Sequence, residues 1–230
     1  RIHGGNLDQL PKPKNKFEII WANDIDPNSC LSYKNYFKHD IICGDIENIL
    51  KENNLPKQAD VVLGGFPCQD FSLAGKRRGF ENTKRGLLYR SMVEVVKRTK
   101  PLVFVAENVK GLLSMNKGEA IKTIISDFEK LGYHVVPHLY LAANYGVPEA
   151  RERVILVGTN KRRRLPKFEH PTPILTKDKW ITLKNAIGDL EHKPEGSQPN
   201  HYWSKAKIFP GTQGNTVVSP DKVGPTMRAE

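Results

Sequence analysis

The stretch ADVVLGGFPCQDFS, residues 59–72, holds an apolar run that stops at two glycines and hands over to a Pro-Cys pair. Val61, Val62 and Leu63 favour extended chain and the glycines and proline punctuate it, so the run predicts a β-strand with Cys68 just past its carboxyl end. The same texture recurs upstream in FEIIWA (17–22) and downstream in PLVFVAEN (101–108), HVVPHLYLAA (134–143) and RVILVGT (153–159). Helical patterns fill the intervals, in PNSCLSYKNYF (27–37), LLYRSMVEVVKRTK (87–100) and GEAIKTIISDFEKLGY (118–133). Strand and helix in alternation predict an α/β fold on a mostly parallel sheet with helices on both faces. Ligands gather at the carboxyl ends of the strands in such sheets. The polar residues that fall there are Asp24, the stretch from Gly64 to Cys68, and Glu107 with Asn108.

The 230 residues carry 36 Lys and Arg against 25 Asp and Glu, a formal charge of +11, with a pI near 9.5. No amphipathic basic helix or apolar anchor accompanies that excess, so it favours a nucleic acid over a membrane surface. Three cysteines without a Cys-x-x-Cys pair argue against a disulfide framework or a zinc cage, and point to a reducing, cytoplasmic compartment and no metal. No stretch reads as a signal peptide or a spanning helix. The opening RIHGGN, without methionine, and the end GPTMRAE read as those of a piece of a longer protein. After Gly158 the texture turns basic and proline-rich in NKRRRLPKFEHPTP (160–173), which predicts a main domain over 1–160 and a smaller lobe over 161–230.

Cys30, on a helix, and Cys43, before Gly44-Asp45, suit buried positions as small apolar side chains. Cys68 differs. Its strand has just ended, Pro67 fixes its approach, and Lys76, Arg77 and Arg78 follow closely enough to favour the thiolate, the form that attacks. Glu107 closes another apolar strand and is either a solvated strand-end acid or aimed into the same cleft. A thiolate with a carboxylic acid suits attack on a pyrimidine: sulfur adds at C6, the acid hydrogen-bonds N3, and C5 becomes able to take an electrophile. Arg151 and Arg153, alternating with Glu152 at a strand head, form either an exposed entrance with local salt links or a pair that holds a carbonyl oxygen and a phosphate.

GGFPCQDFS (64–72), FVAENVKGLL (104–113) and NYGVPEARERVILVG (144–158), in this order, resemble the motifs of the cytosine-5 DNA methyltransferase family, of restriction-modification type. The resemblance runs over most of the chain and implies a Rossmann-like S-adenosylmethionine-dependent fold, with a catalytic and cofactor-binding domain over 1–160 and the start of a target-recognition lobe over 161–230. It implies methyl transfer to C5 of a cytosine swung out of double-stranded DNA, through a covalent bond from Cys68 to C6. Glu107 then assists at N3, and Arg151 and Arg153 contact the ring and the backbone. The first position of that arginine motif, Gln in the family, is Glu149 here.

ANDIDPNSC (22–30) resembles the segment whose acid binds the cofactor ribose, hence Asp24, with Ile25 on the adenine; CGDIENI (43–49) places Asp45 and Ile46 at the adenine edge. Gly4-Gly5 stands where the family has its glycine turn, with Ile2 in place of the first glycine, and Gly5, Pro67 and Leu88 complete the implied S-adenosyl-L-methionine pocket. Phe66, Gln69, Ser72 and Asn108 are the implied substrate contacts. DFSLAGKRRGFENTKRG (70–86) is either a plain surface loop or, as the resemblance implies, a loop that closes over DNA. SPDKVGPTMRA (219–229) resembles the segment that organises target recognition around Thr226 and Arg228, and the family's last motif is not found. A monomer in a bacterial cytoplasm is expected. A tRNA cytosine-5 methyltransferase on the same scaffold and a catalytically silent DNA-binding relative are the alternatives. Which sequence is recognised depends on loop side chains reading base edges.

Overall fold

The computed structural model describes residues 17–67, 88–198 and 218–226. Strands Asn23–Asp24 (β1) and Ile42–Cys43 (β2) pair in parallel, joined by helix Pro27–Phe37 (α1). The Asp26 carboxylate accepts from the Ser29 N–H at 2.7 Å and Pro27 opens the first turn, which is why the helix starts there. Helix Ile46–Lys51 (α2) follows, then strand Val61–Gly65 (β3), helix Leu88–Thr99 (α3), strand Val103–Val109 (β4), helix Glu119–Lys130 (α4), strands Tyr133–Leu141 (β5) and Glu152–Asn160 (β6), and helix Leu183–Ile187 (α5).

A four-stranded sheet has the order β3-β4-β6-β5. β3 and β4 are parallel, with Val61 beside Val103 and Gly65 beside Glu107. β6 then runs antiparallel to β4, from Val103 beside Thr159 to Val109 beside Arg153. The bonds Lys161 N–H to Gly132 O and Ala142 N–H to Arg151 O, both 2.9 Å, make β5 and β6 an antiparallel hairpin. The α/β class stands, and the sheet is mixed. A parallel neighbour needs a crossover of about a dozen residues or more, usually a helix; residues 142–151 join β5 to β6 without an α-helix, opening with a 3₁₀ turn, Ala142–Tyr145, closed by Gly146 at φ 85.

α3 and α4 cover one face of this sheet. Tyr89, Met92 and Val96 from α3 and Ile121, Ile124 and Phe128 from α4 pack on Phe104, Ala106, Val154 and Leu156. These are the alternate residues of β4 and β6, as the period of a strand requires. On the opposite face of β3, Leu63 is 74% exposed. Phe104 stacks on Phe128 with ring centres 4.2 Å apart, and its ring lies directly over Gly158 of the adjacent strand. No helix among the described residues is long and apolar enough to cross a membrane.

The chain divides into two compact units. One comprises Glu18–Tyr140 with Glu152–Pro171; the other comprises Leu141–Arg151 with Thr172–Glu230 and the first residues, to Phe17. The basic stretch 161–171, expected in the second lobe, groups with the first unit because Thr159 Oγ1 donates to Pro166 O at 2.7 Å and the turn after β6 folds back on the sheet.

Gly158→Ala would place a Cβ 1.9 Å from Phe104 Cε1, so the ring must leave its stack. Overpacking of that kind costs about 1–3 kcal/mol. Urea unfolding should show the loss; an unchanged midpoint would mean that the Phe104 ring moves freely.

Candidate active site

Because β3 and β4 are parallel, they end at one edge of the sheet. Phe66, directly after β3, is 6% exposed and packs against Tyr89, with ring centres 6.3 Å apart. Asn108, 3% exposed, donates from Nδ2 to Phe66 O at 2.9 Å and accepts the Val109 N–H at Oδ1 at 2.8 Å. The turn that leads through the exposed Pro67 is therefore held at both its side chain and its carbonyl. Cys68, Gln69 and Ser72 lie outside the described residues. The chain re-enters them at Leu88, which packs on the same core cluster as Phe66.

Glu107 stands beside Gly65 in the ladder. Its Oε1 accepts from Arg153 Nε at 2.8 Å, while Arg153 Nη1 donates to Glu152 O at 2.7 Å. The Glu107 side chain is 45% exposed and that of Arg153 is 21% exposed, so the pair sits at the surface of the edge with the arginine the more enclosed. Oε2 of Glu107 takes no hydrogen bond among the described residues and is open to a ligand. Next to this pair, Lys110 Nζ bridges both carboxylate oxygens of Glu152, at 2.9 and 2.8 Å.

Arg151 belongs to the other unit, where its Nη1 lies 3.7 Å from Glu149 Oε1. Within that unit Gly224 makes an isolated bridge to Glu149: Gly224 N–H donates to Pro148 O at 2.9 Å and Ala150 N–H donates to Gly224 O at 2.7 Å. Thr226 Oγ1 donates to Ala150 O at 3.0 Å. Arg228 lies outside the described residues.

β1 and β2 bring the two acidic segments to one edge. Asn23 Nδ2 donates to Ile42 O at 2.9 Å and to Gly44 O at 2.8 Å, and Gly44 N–H donates to Asp24 O at 2.9 Å. Asp24 accepts the Asp26 N–H at 2.9 Å, and Asp45 caps α2 by accepting the Glu47 N–H at 2.8 Å. In each carboxylate one oxygen serves the local turn and the other takes no hydrogen bond among the described residues. Ile25, 67% exposed, offers an apolar surface beside Asp24, and Ile46 is half-buried. Two carboxylates with free acceptors beside an exposed apolar side chain fit a ligand with vicinal hydroxyls and a flat ring. Gly5 lies outside the described residues.

Cys30 is buried, and its thiol donates to Asp24 O at 3.4 Å. Burial, then the neighbouring Cys43 thiol, pushes it up to about 11, so it stays protonated and is no nucleophile. Cys43 is exposed, against the expectation that it is buried, because β2 is short and its outward face is uncovered. No group of three metal-ligating side chains forms among the described residues.

The description C-5 cytosine-specific DNA methylase matches residues 7–218. Type II methyltransferase M.NgoFVII of Neisseria gonorrhoeae is 47% identical over 156 residues, 68% of this chain and 41% of that protein. Type II methyltransferase M.FnuDI of Fusobacterium nucleatum is 44% identical over 187 residues, 81% of this chain and 53% of that protein. A crystal structure from E. coli, of a prophage-encoded protein described as a DNA modification methyltransferase, is similar with a TM-score of 0.57 at 24% identity, over 75% of this chain and 48% of that one. The chain thus spans about half the length of the curated relatives it matches. It belongs to the C-5 cytosine-specific DNA methylase family.

The Asn23 and Asn108 amides each bind backbone at a strand end, a role that the motifs do not indicate. The Asn108 amide is engaged with backbone at both its nitrogen and its oxygen. Alternation along β4 points to this, since Phe104, Ala106 and Asn108 share the buried face. Asn108→Ala leaves the Phe66 carbonyl without its partner and should cost about 1–3 kcal/mol. Chemical denaturation would read the loss, and equal stability would mean that water replaces the amide.

Proposed function

We propose that the protein is a DNA (cytosine-5)-methyltransferase that moves a methyl group from S-adenosyl-L-methionine to C5 of a cytosine swung out of duplex DNA. The observation that carries this reading is the Glu107–Arg153 pair at 2.8 Å, one ladder position from the turn that leads to Pro67 and Cys68. Family membership and the similarity to type II methyltransferases support DNA over tRNA as substrate.

The Cys68 thiolate adds to C6 of the cytosine, and the ring electrons move toward C5 and N3. Glu107 hydrogen-bonds at N3 and stabilises that charge. Arg153 fixes the carboxyl group through Oε1 and leaves Oε2 to face the ring. S-adenosyl-L-methionine supplies an electrophilic methyl for C5. Loss of the C5 proton then returns the electrons to the C5–C6 bond and expels the Cys68 thiolate, so the enzyme ends as it began. Asp24 and Asp45 hold the ribose hydroxyls and the adenine amino edge, Ile25 and Ile46 pack on the adenine, and Gly5, Pro67 and Leu88 border the rest. Phe66 and Asn108 serve the base by holding the turn, whereas Gln69 and Ser72 contact the DNA. Arg151 holds a backbone phosphate. The protein works on double-stranded DNA in a bacterial cytoplasm, as a monomer and without a metal.

Cys68→Ser should abolish methyl transfer while leaving the fold intact, because a hydroxyl is a far poorer nucleophile at neutral pH. Duplex DNA with 5-fluorocytosine in the target should trap a covalent adduct with the unaltered protein alone; an adduct with the variant would place the nucleophile elsewhere. Glu107→Gln should lower kcat by about a hundred- to ten-thousand-fold, the usual worth of a positioned acid. Bisulfite sequencing of DNA from cells that express the full-length protein tests substrate and activity together, and methylated tRNA with unmodified DNA would overturn the DNA reading.

A further inference from the structure

At the opposite edge of the four-stranded sheet, where β4 and β5 begin and β6 ends, a cavity of about 320 Å³ opens between the last turns of α3 and α4 and the turn after β6. Lys97, Lys100, Lys130, Arg162 and Arg163 line it, and no carboxylate does. Lys97 and Lys130 each reach an acid on their own helix, Glu94 at 3.2 Å and Asp127 at 2.9 Å. Lys100, Arg162 and Arg163 form no ion pair with another described residue.

Cations at helix C-termini are ordinary partners of the helix dipole, which accounts for Lys97 and Lys130. It does not account for the arginines, which come from another element. Residues 161–164 are four successive cations in a 3₁₀ turn and the residue that ends it. The buried Asn160 fixes that turn: its Oδ1 accepts the Arg162 N–H at 3.0 Å, and its Nδ2 donates to Pro101 O at 3.1 Å. The Arg162 stem lies over Gly132, whose missing side chain gives it room, since a Cβ there would sit 3.4 Å from Nε. Two guanidinium groups are thus presented from a braced turn beside Lys100. The charge also continues past the cavity along Lys161 and Arg164, a spread that suits a chain of phosphates better than one small anion.

We propose that this cavity is a second contact for the phosphate backbone of nucleic acid, separate from the catalytic edge. β4 separates the two places by about 20 Å at 3.3 Å per residue, so the cavity holds a different segment of duplex from the one at Glu107. The duplex at Glu107, and with it the bridging arm below, rests on the function proposed above; the salt slope does not.

The test compares the full-length protein with a variant carrying Lys100→Gln, Arg162→Gln and Arg163→Gln. Binding to a target-free duplex is titrated with KCl, and bridging of two differently labelled duplexes is scored. The variant should lower the slope of log K against log salt by about 2–3 units, at roughly 0.9 per phosphate contact, and lose bridging. Its thermal unfolding and its methylation of a short target duplex should match those of the unaltered protein. An unchanged slope, or no bridging by the unaltered protein, overturns the proposal. So does a variant that loses binding of inorganic triphosphate while its duplex slope stays the same. Absence of methylation by the unaltered protein would count against the function proposed above and leaves the salt slope to decide this one.

Discussion

Asn108 occupies the point where β4 stops building the sheet and the edge begins to build a site. Its amide faces the core, where an unmatched polar group costs about 1–3 kcal/mol, so the fold can keep it only by meeting both of its ends. It does so with the Phe66 carbonyl and the Val109 N–H. That requirement ties the exit of β3 at Phe66 to the exit of β4 at Val109. Phe66 adds the apolar half of the same anchor through its contact with Tyr89. Buried Asn108 and half-exposed Glu107 are neighbours with opposite duties because successive strand residues face opposite ways.

The reversal of direction at β6 matters as much. In an all-parallel sheet the head of a strand lies at the edge away from the ligands, and an arginine there could not meet Glu107. Since β6 runs antiparallel to β4, its head at Arg153 arrives beside the end of β4 and its tail at Asn160 arrives beside the start. One strand therefore delivers cations to both edges: Arg153 to the carboxylate at one, and the 161–164 turn to the open cavity at the other.

Much of this was legible in the sequence. Apolar runs ending in acids located Asp24 and Glu107 at strand ends, and the helical pattern PNSCLSYKNYF located α1. Strand direction was not legible, because the period of a strand reports faces and not polarity; the absence of a helical pattern between residues 143 and 153 was the one available sign of a hairpin. The grouping of 161–171 with the first unit depends on hydrogen bonds such as Thr159 to Pro166, which composition does not report. Asn23 was missed because a single amide bridging two carbonyls across β1 and β2 leaves no pattern in the chain. Cys43 is exposed where its residue type alone suggests burial, because a two-residue strand covers little.

The segment 218–226 extends the same logic to the second unit. Its residues meet the loop before β6 through backbone groups: Gly224 on both sides of Glu149, Thr226 on Ala150, and Lys222 and Pro220 as acceptors for the first N–H groups of α5. Backbone contacts of this kind tolerate change in most side chains but not in geometry. At Gly224 a Cβ would come within 3.3 Å of Pro148 O, so glycine is what lets the two chains approach. The Arg151 backbone therefore takes its place from a segment some seventy residues later, and the intervening residues can vary in length and composition at small entropic cost, since closing a loop grows only logarithmically with its length. Two mutually bound backbone segments hold the Arg151 backbone in place whatever the length of the chain between them.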